Sequence, residues 1–246
     1  MSAKRKSIAI LQSNYIPWKG YFDLIASVDE FLLFDEVQFT RRDWRNRNKI
    51  VLDGRLHWLT IPVETKGRFD APICSVEVAD RDWAAAHWRM IRQAYRKAPF
   101  FDRYAELLEP LYLQAGQLAR LSAINKLFLT TLANALGVAT PLLKAEEVPR
   151  RAETPTDRLV EICVGRGASS YVSGPAAKAY IDKARFDGAG VALGYADYSG
   201  YPPYVQALEP FEHGVSIIDV LFRCGPAARD HLKSPRDRAS FVKEAG

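Results

Sequence analysis

Residues 7–11, SIAIL, form a short apolar run that stops at polar Gln12-Ser13-Asn14. This is the pattern of a buried strand that delivers polar side chains at its carboxyl end. After Pro17 and Gly20 comes YFDLIASV, with Phe22, Leu24, Ile25 and Val28 at near-helical spacing, and then a second buried-strand run over residues 30–35. Strand, turn, helix and strand make a βαβ unit, in which ligands collect at the carboxyl ends of the strands. Here those ends are residues 12–17 and 35–38.

Residues 48–63 alternate apolar and polar around Asp53-Gly54, a two-residue turn signal that predicts a β-hairpin from NKIVL and LHWLTIPV. From Asp80 to about Leu136 the period becomes helical, with segments near 81–97, 101–115 and 118–136. Pro99 and Pro110 punctuate the first two, and Gly137 closes the third. A proline-rich connector (Pro141, Pro149, Pro155) leads to a helix capped by Thr154 or Thr156 and running through Leu159, Ile162 and Cys163. The last third holds the short apolar runs SSYVSG and GVALGYADY, the loop SGYPPYVQALEPFEHG, and the helix VSIIDVLFRCG closed by Gly225. The fold class is therefore α/β: a Rossmann-like mixed sheet with an N-terminal βαβ unit, a β-hairpin and a helical insert. Residues 1–246 read as one such domain, with the helical subdomain at about 80–140.

Composition narrows the function classes. Hydrophobic residues are 48% and charged residues 26%, the mix of a folded globular chain. No segment approaches 18 uncharged apolar residues, and the run after the basic start is too short for a signal-peptide core or a membrane span, which predicts a cytoplasmic protein. Cys74, Cys163 and Cys224 lack paired spacing, which argues against a disulfide framework and a zinc knuckle, and no His/Cys/carboxylate cluster predicts a metal. The formal charge of +5 concentrates at Lys4-Arg5-Lys6 and over residues 41–55. Without a helix-turn-helix, zinc-finger or RNA-recognition signature, a phosphorylated small molecule or an acidic carrier protein explains that cluster, and no nucleic-acid partner is expected.

The densest chemistry is Gln12-x-x-Tyr15-x-Pro17-x-x-Gly20-Tyr21-Phe22, then Asp35-x-x-Gln38, then Trp44-Arg45-Asn46-Arg47-Asn48. Asp35 ends an apolar strand, where a carboxylate needs a partner or an open cleft. Arg45 and Arg47 are the candidate partners, and a loop-capping Asp beside solvated arginines is the competing reading. Asn46, Arg47 and Asn48 offer donors for a phosphate, carboxylate or sugar hydroxyl, while Trp44 and Tyr15 could stack on a ring or sugar face. His87 stands with Trp83 and Met90 on one helical face, as a packed histidine or a base. Cys163 sits in an aliphatic helical run that favours a core thiol. Asp219, among Ile217, Ile218, Val220 and Leu221, needs a Tyr hydroxyl or an Arg if it faces inward, and the loop bearing Tyr198, Tyr201, Tyr204 and Gln206 reads equally as a lid or a packed connection. There is no Walker loop and no G-x-S-x-G elbow.

Those motifs, with Trp58-Leu-Thr-Ile-Pro62, Tyr95-Arg-Lys-Ala-Pro-Phe-Phe101, Tyr171-Val-Ser-Gly174 and Ser216-Ile-Ile-Asp-Val-Leu-Phe222, closely resemble the WbqC-like family across almost the whole chain. The sequence departs from the family's usual pattern at Ser13, where proline is frequent. The resemblance implies an enzyme of surface-polysaccharide or natural-product biosynthesis that transfers an acyl or aminoacyl group, such as glycyl, to an amine-bearing small-molecule acceptor. It implies no tightly bound cofactor, with a phosphopantetheine thioester on an acyl- or peptidyl-carrier protein or coenzyme A as donor. For amide formation, Asp35 and His87 are the candidate proton-transfer groups and Ser173, in the Tyr-Val-Ser-Gly turn, supports them. Gln12, Asn14, Tyr15, Gln38, Trp44, Arg47, Asn48, Tyr204 and Asp219 are the candidate binding residues, with Gln12, Asp35, Arg47 and Asn48 expected to meet in one pocket. The alternatives are a nucleotide- or nucleotide-sugar-binding accessory protein, or an adenylate-forming nucleotidylyl-transferase-like enzyme.

Overall fold

The computed structural model describes residues 5–67 and 70–245. Lys4 of the basic triplet lies outside them. The chain runs β1 (Ser7–Leu11), α1 (Lys19–Ala26), β2 (Glu30–Leu33), β3 (Arg47–Leu52), β4 (Arg55–Thr60), α2 (Trp83–Tyr95), α3 (Phe101–Gly116), α4 (Leu121–Ala135), β5 (Leu142–Lys144), α5 (Pro155–Gly165), β6 (Ser170–Ser173), α6 (Lys183–Gly188), β7 (Ala192–Ala196), α7 (Ile217–Cys224), α8 (Arg238–Phe241) and β8 (Val242–Glu244).

Six strands form one sheet in the order β5-β2-β1-β6-β7-β8, parallel except for the β7–β8 pair. Counted within the sheet, this is the doubly wound order 3-2-1-4-5-6. Side chains alternate across the strands and so divide between two cores. Ile8, Ile10, Leu32, Tyr171 and Leu193 join α5 and α6 through Leu159, Ile162 and Phe186. Ala9, Phe31, Leu33 and Val172 face the other side, where α1, α4 and α7 bring Phe22, Ile25, Phe128 and Ile218. Each fully buried Leu, Ile or Phe contributes about 1.5–3 kcal/mol, so both faces of β1 hold it in the centre.

The predicted hairpin forms as β3–β4, a separate two-stranded sheet. Asp53 (φ 49°) and Gly54 (φ 68°) both take left-handed backbone, the requirement of the tight turn that matches strand twist. Its inner face buries Ile50 and Leu59 against α2. The helical insert appears as α2, α3 and α4, but Pro110 lies inside α3 rather than ending it. Burial of Leu108, Leu111 and Tyr112 along that helix outweighs the single backbone bond that proline removes. Thr154 caps α5, accepting from the Asp157 N–H at 3.1 Å. The edge strands β5 and β8 carry no apolar run long enough to announce them.

The turn between β1 and α1 is held from outside itself. The Pro17 carbonyl accepts from the Ile217 N–H at the start of α7, and the Tyr15 N–H donates to Trp44 O. A Cβ on Gly20 would fall 2.3 Å from the Trp18 ring, so only glycine lets Trp18 fold back over the first turn of α1.

Candidate functional site

In a sheet of this order the crevice opens where the strand order reverses, between β1 and β6. A cavity of about 490 Å³ lies there, lined by Gln12 past the end of β1, Ser173 and Gly174 at the end of β6, Tyr180, and Thr154 and Thr156 at the start of α5. No histidine, cysteine or carboxylate is among the described residues that line it. The Tyr171 hydroxyl donates to Ser173 Oγ at 3.1 Å, which orients Ser173 without activating it. Burial pushes the Tyr171 phenol up beyond any useful range for a base.

Behind Gln12 sits Arg45. Its guanidinium donates to Asn14 Oδ1 and, at 3.2 Å, to Gln12 Oε1. Both partners are neutral amides, and the one carboxylate within ion-pair distance among the described residues is Asp43, at 3.4 Å. The five N–H bonds of a guanidinium exceed these contacts, so Arg45 keeps both charge and donors to offer.

Asp35 follows β2, beside Ser13. The Ser13 N–H donates to Asp35 Oδ1 at 2.8 Å, and Asn125 of α4 donates to Ser13 Oγ at 3.0 Å and to Arg45 O at 2.9 Å. Burial raises the Asp35 carboxyl above its ordinary value, opposed by the bonds from Ser13 and by the Arg45 charge. Asp35 borders a second opening of about 680 Å³ that also exposes Cys74, Arg120, Lys126, Lys144 and Glu146. Two openings therefore flank the ends of β1 and β2.

The other predicted residues do not share this place, which corrects the expectation of a single pocket. Asn14, Trp44 and Asn48 line a cavity of about 220 Å³ with Pro17, Trp18 and Gly214. Asn48 is nevertheless a scaffold group, because its Nδ2 donates to the Ile16 and Tyr15 carbonyls at 3.0 and 3.3 Å. Arg47 lines another cavity, with its guanidinium carbon 4.1 Å from the Trp58 ring centroid. Gln38 lies in a bridge with Pro72, its Nε2 3.5 Å from Asp70.

Tyr15 is fully buried and cannot stack on a ligand. Its hydroxyl meets His87 Nδ1 at 3.0 Å and the Tyr112 hydroxyl at 2.7 Å, and its ring packs edge-on against Trp83 and Phe128. Burial drives His87 down to about 4, so it stays neutral at neutral pH inside an aromatic core. Tyr204 and Asp219 also pair away from the cleft. Asp219 accepts from the Tyr204 hydroxyl at 2.6 Å, Gln206 Nε2 at 3.1 Å and Arg223 Nε at 3.1 Å, which are the tyrosine and arginine partners its apolar setting demanded. With Tyr201 bonded to Asp23 at 2.7 Å, residues 197–216 are a packed connection. Cys163 is core, its thiol pushed up to about 12 by burial.

A model of the WbqC-like protein family matches residues 12–231. The chain belongs to the WbqC-like protein family. An uncharacterized protein of Mycobacterium tuberculosis (strain H37Rv) is 44% identical over 228 residues, covering 93% of this chain and 98% of that one. No solved structure matches the chain. Among the described residues, no helix is long and apolar enough to cross a membrane, and no group of three or more His, Cys, Asp or Glu side chains is placed to hold a metal ion.

Two residues of this WbqC-like chain gained importance only from the structure. Asn125, in the middle of an amphipathic helix, gives no sign in sequence that it ties together the ends of the strands. Lys19 opens α1 with its side chain buried. Its Nζ donates to Pro202 O at 3.2 Å and lies 5.0 to 5.7 Å from the ring centroids of Tyr201, Tyr204 and Phe211. Burial lowers Lys19 to about 8. The position after Pro17-Trp18 hints at a helix start but not at a cage built about 180 residues later.

Proposed function

We propose that this WbqC-like protein is a transferase that forms an amide, moving an acyl or aminoacyl group from a thioester donor to the amine of a sugar-like acceptor at the ends of β1, β2 and β6. The observation that carries the reading is Arg45: a guanidinium bonded to the amides of Gln12 and Asn14 and 3.4 Å from Asp43, with donors left over, behind the Gln12 side chain that lines the switch-point cleft. The acceptor occupies the cleft, held by Gln12, Ser173, Tyr180 and the start of α5. The thioester enters from the opening beside Asp35.

Asp35, its basicity raised by burial, takes the proton from the acceptor ammonium. The freed nitrogen attacks the thioester carbonyl and forms the C–N bond, Arg45 faces the charge that develops on the carbonyl oxygen, and collapse restores the carbonyl as the C–S bond breaks. The nitrogen gives up a second proton as the amide forms and the departing thiolate takes one up, so the net product is a thiol and the single proton held by Asp35, which is released to solvent. Transfer is direct in this reading: Ser173 bonds to the Tyr171 phenol, Cys163 is sealed in the core, and burial raises the Cys74 thiol at the thioester's opening above its ordinary value. His87, neutral and enclosed, is a packing residue in this reading.

A binding protein without chemistry is the second reading, favoured by the absence of histidine, cysteine and carboxylate side chains among the described residues lining the cleft. Incubation with a glycyl-carrier protein and a nucleotide-linked amino sugar separates the two. A product with the mass of the amide, lost in Arg45→Gln, is expected. No amide, with protection by the nucleotide sugar against thermal unfolding, would establish the second reading instead.

A further inference from the structure

Away from the strand-end cleft, the root of the hairpin encloses a cavity of about 230 Å³ whose lining includes Arg41, Arg42, Arg47, Asn46, Thr60 and Thr65. No carboxylate is among its described lining residues. Asp43 is a counter-charge to Arg47 outside the lining, but three arginines around one cavity still repel one another and are held together at a cost unless an anion joins them. Arg47 is fixed in place, stacked over Trp58 and donating to Arg42 O.

Two atoms make this more than a basic surface. Among the described residues, Arg47 Nε and Asn46 Oδ1 are buried without a hydrogen-bond partner. Asn46 is 7% exposed, and its Nδ2 donates to Ile61 O at 2.8 Å, which leaves Oδ1 as the outstanding acceptor. A buried polar atom left unsatisfied costs about 1–3 kcal/mol, so the cavity wants a ligand that brings both an acceptor for Arg47 and a donor for Asn46.

We infer that this cavity is a binding site for a phosphate ester whose phosphate is followed closely by a hydroxyl or N–H group. The phosphate oxygens accept from Arg41, Arg42 and Arg47 Nε, the threonine hydroxyls add neutral bonds, and the neighbouring hydroxyl or N–H donates to Asn46 Oδ1. Inorganic phosphate satisfies the first half, and its own P–OH donor is confined to the phosphorus that the arginines hold. The site requires no turnover at the strand ends, and holds whether the protein transfers a group or only binds one.

Isothermal titration of the full chain with 4′-phosphopantetheine, pantetheine and inorganic phosphate tests the site, with glucosamine 1-phosphate as a parallel arm for a sugar source. The test variant is Arg41→Gln with Arg42→Asn. Both arginines are exposed, and asparagine tolerates the left-handed backbone at residue 42 (φ 60°), so the melting temperature stays at the wild-type value. One phosphate ester is expected to bind at least about tenfold tighter than inorganic phosphate, and 4′-phosphopantetheine above pantetheine by a similar factor if it is that ester. The double variant loses about tenfold or more for that ester alone, and the ester so affected names the source. Equal binding by inorganic phosphate, or unchanged binding of both esters by the double variant, overturns the inference. Because no product is measured, failure here leaves the transferase reading standing.

Discussion

Two buried polar clusters in this protein are built on opposite terms. Under residues 197–216, Asp219 takes hydrogen bonds from Tyr204, Gln206 and Arg223, while Asp23 takes them from the Tyr201 hydroxyl and the backbone N–H groups of Lys233 and Ser234. Every partner is matched by charge or dipole, and the product is rigidity. At the strand ends, Arg45 is matched to two neutral amides and, at 3.4 Å, to the single carboxylate of Asp43, and its guanidinium keeps donors in hand. Saturated polar groups hold a fold together; unsaturated ones beside a cavity are available to a ligand.

The contrast is sharpest in variants ordered by their effect on stability. Asp219→Ala removes a fully buried carboxylate from a half-buried arginine and tyrosine and is expected to cost about 3 kcal/mol in urea unfolding. A loss under about 1 kcal/mol would mean that this cluster is not the anchor described. His87, lowered from 6.5 to about 4, binds its proton more weakly folded than unfolded, so stability is intact above pH 6.5 and falls as pH drops toward 4. The fall is on the order of 3 kcal/mol, and His87→Gln should flatten it in melts recorded across that range. Lys19 follows the same sign at higher pH: its folded value near 8 lies below the ordinary 10.5, so stability rises between them. Lys19→Met should remove that rise and gain about 2 kcal/mol at pH 7, the relief of burial being partly offset by the lost contacts with the aromatic rings. Arg45→Gln should move stability least, by less than about 1 kcal/mol, while abolishing ligand protection. A large drop in melting temperature there would place Arg45 with the saturated cluster.

The sheet was legible because its central strands are apolar runs that end in polar residues. SIAIL stopping at Gln12 locates the carboxyl edge before any contact is known, and Asp53-Gly54 can hardly be anything but a hairpin turn. β5 and β8 escaped because three residues at a sheet edge need no apolar pattern. The place of the cleft at the strand ends was legible for the same reason as the strands. Its cation was not: Arg45 and Arg47 look alike in sequence, and only the turn before β3 sends one to Gln12 and the other over Trp58. Nor could local pattern show that Tyr15, in the middle of the densest motif, is sealed by His87 and Tyr112 from helices far along the chain.

The amide cradle of Arg45 also gives the protein a chemical clock. Hydrolysis of the Asn14 or Gln12 side-chain amide exchanges a neutral oxygen partner for a carboxylate, and the cation beside the cleft would then be neutralised from within. An aspartate at residue 14 would hold the guanidinium more tightly than asparagine does. An aged sample, or Asn14→Asp prepared directly, should melt no lower than fresh protein and yet have lost its hold on an anionic ligand.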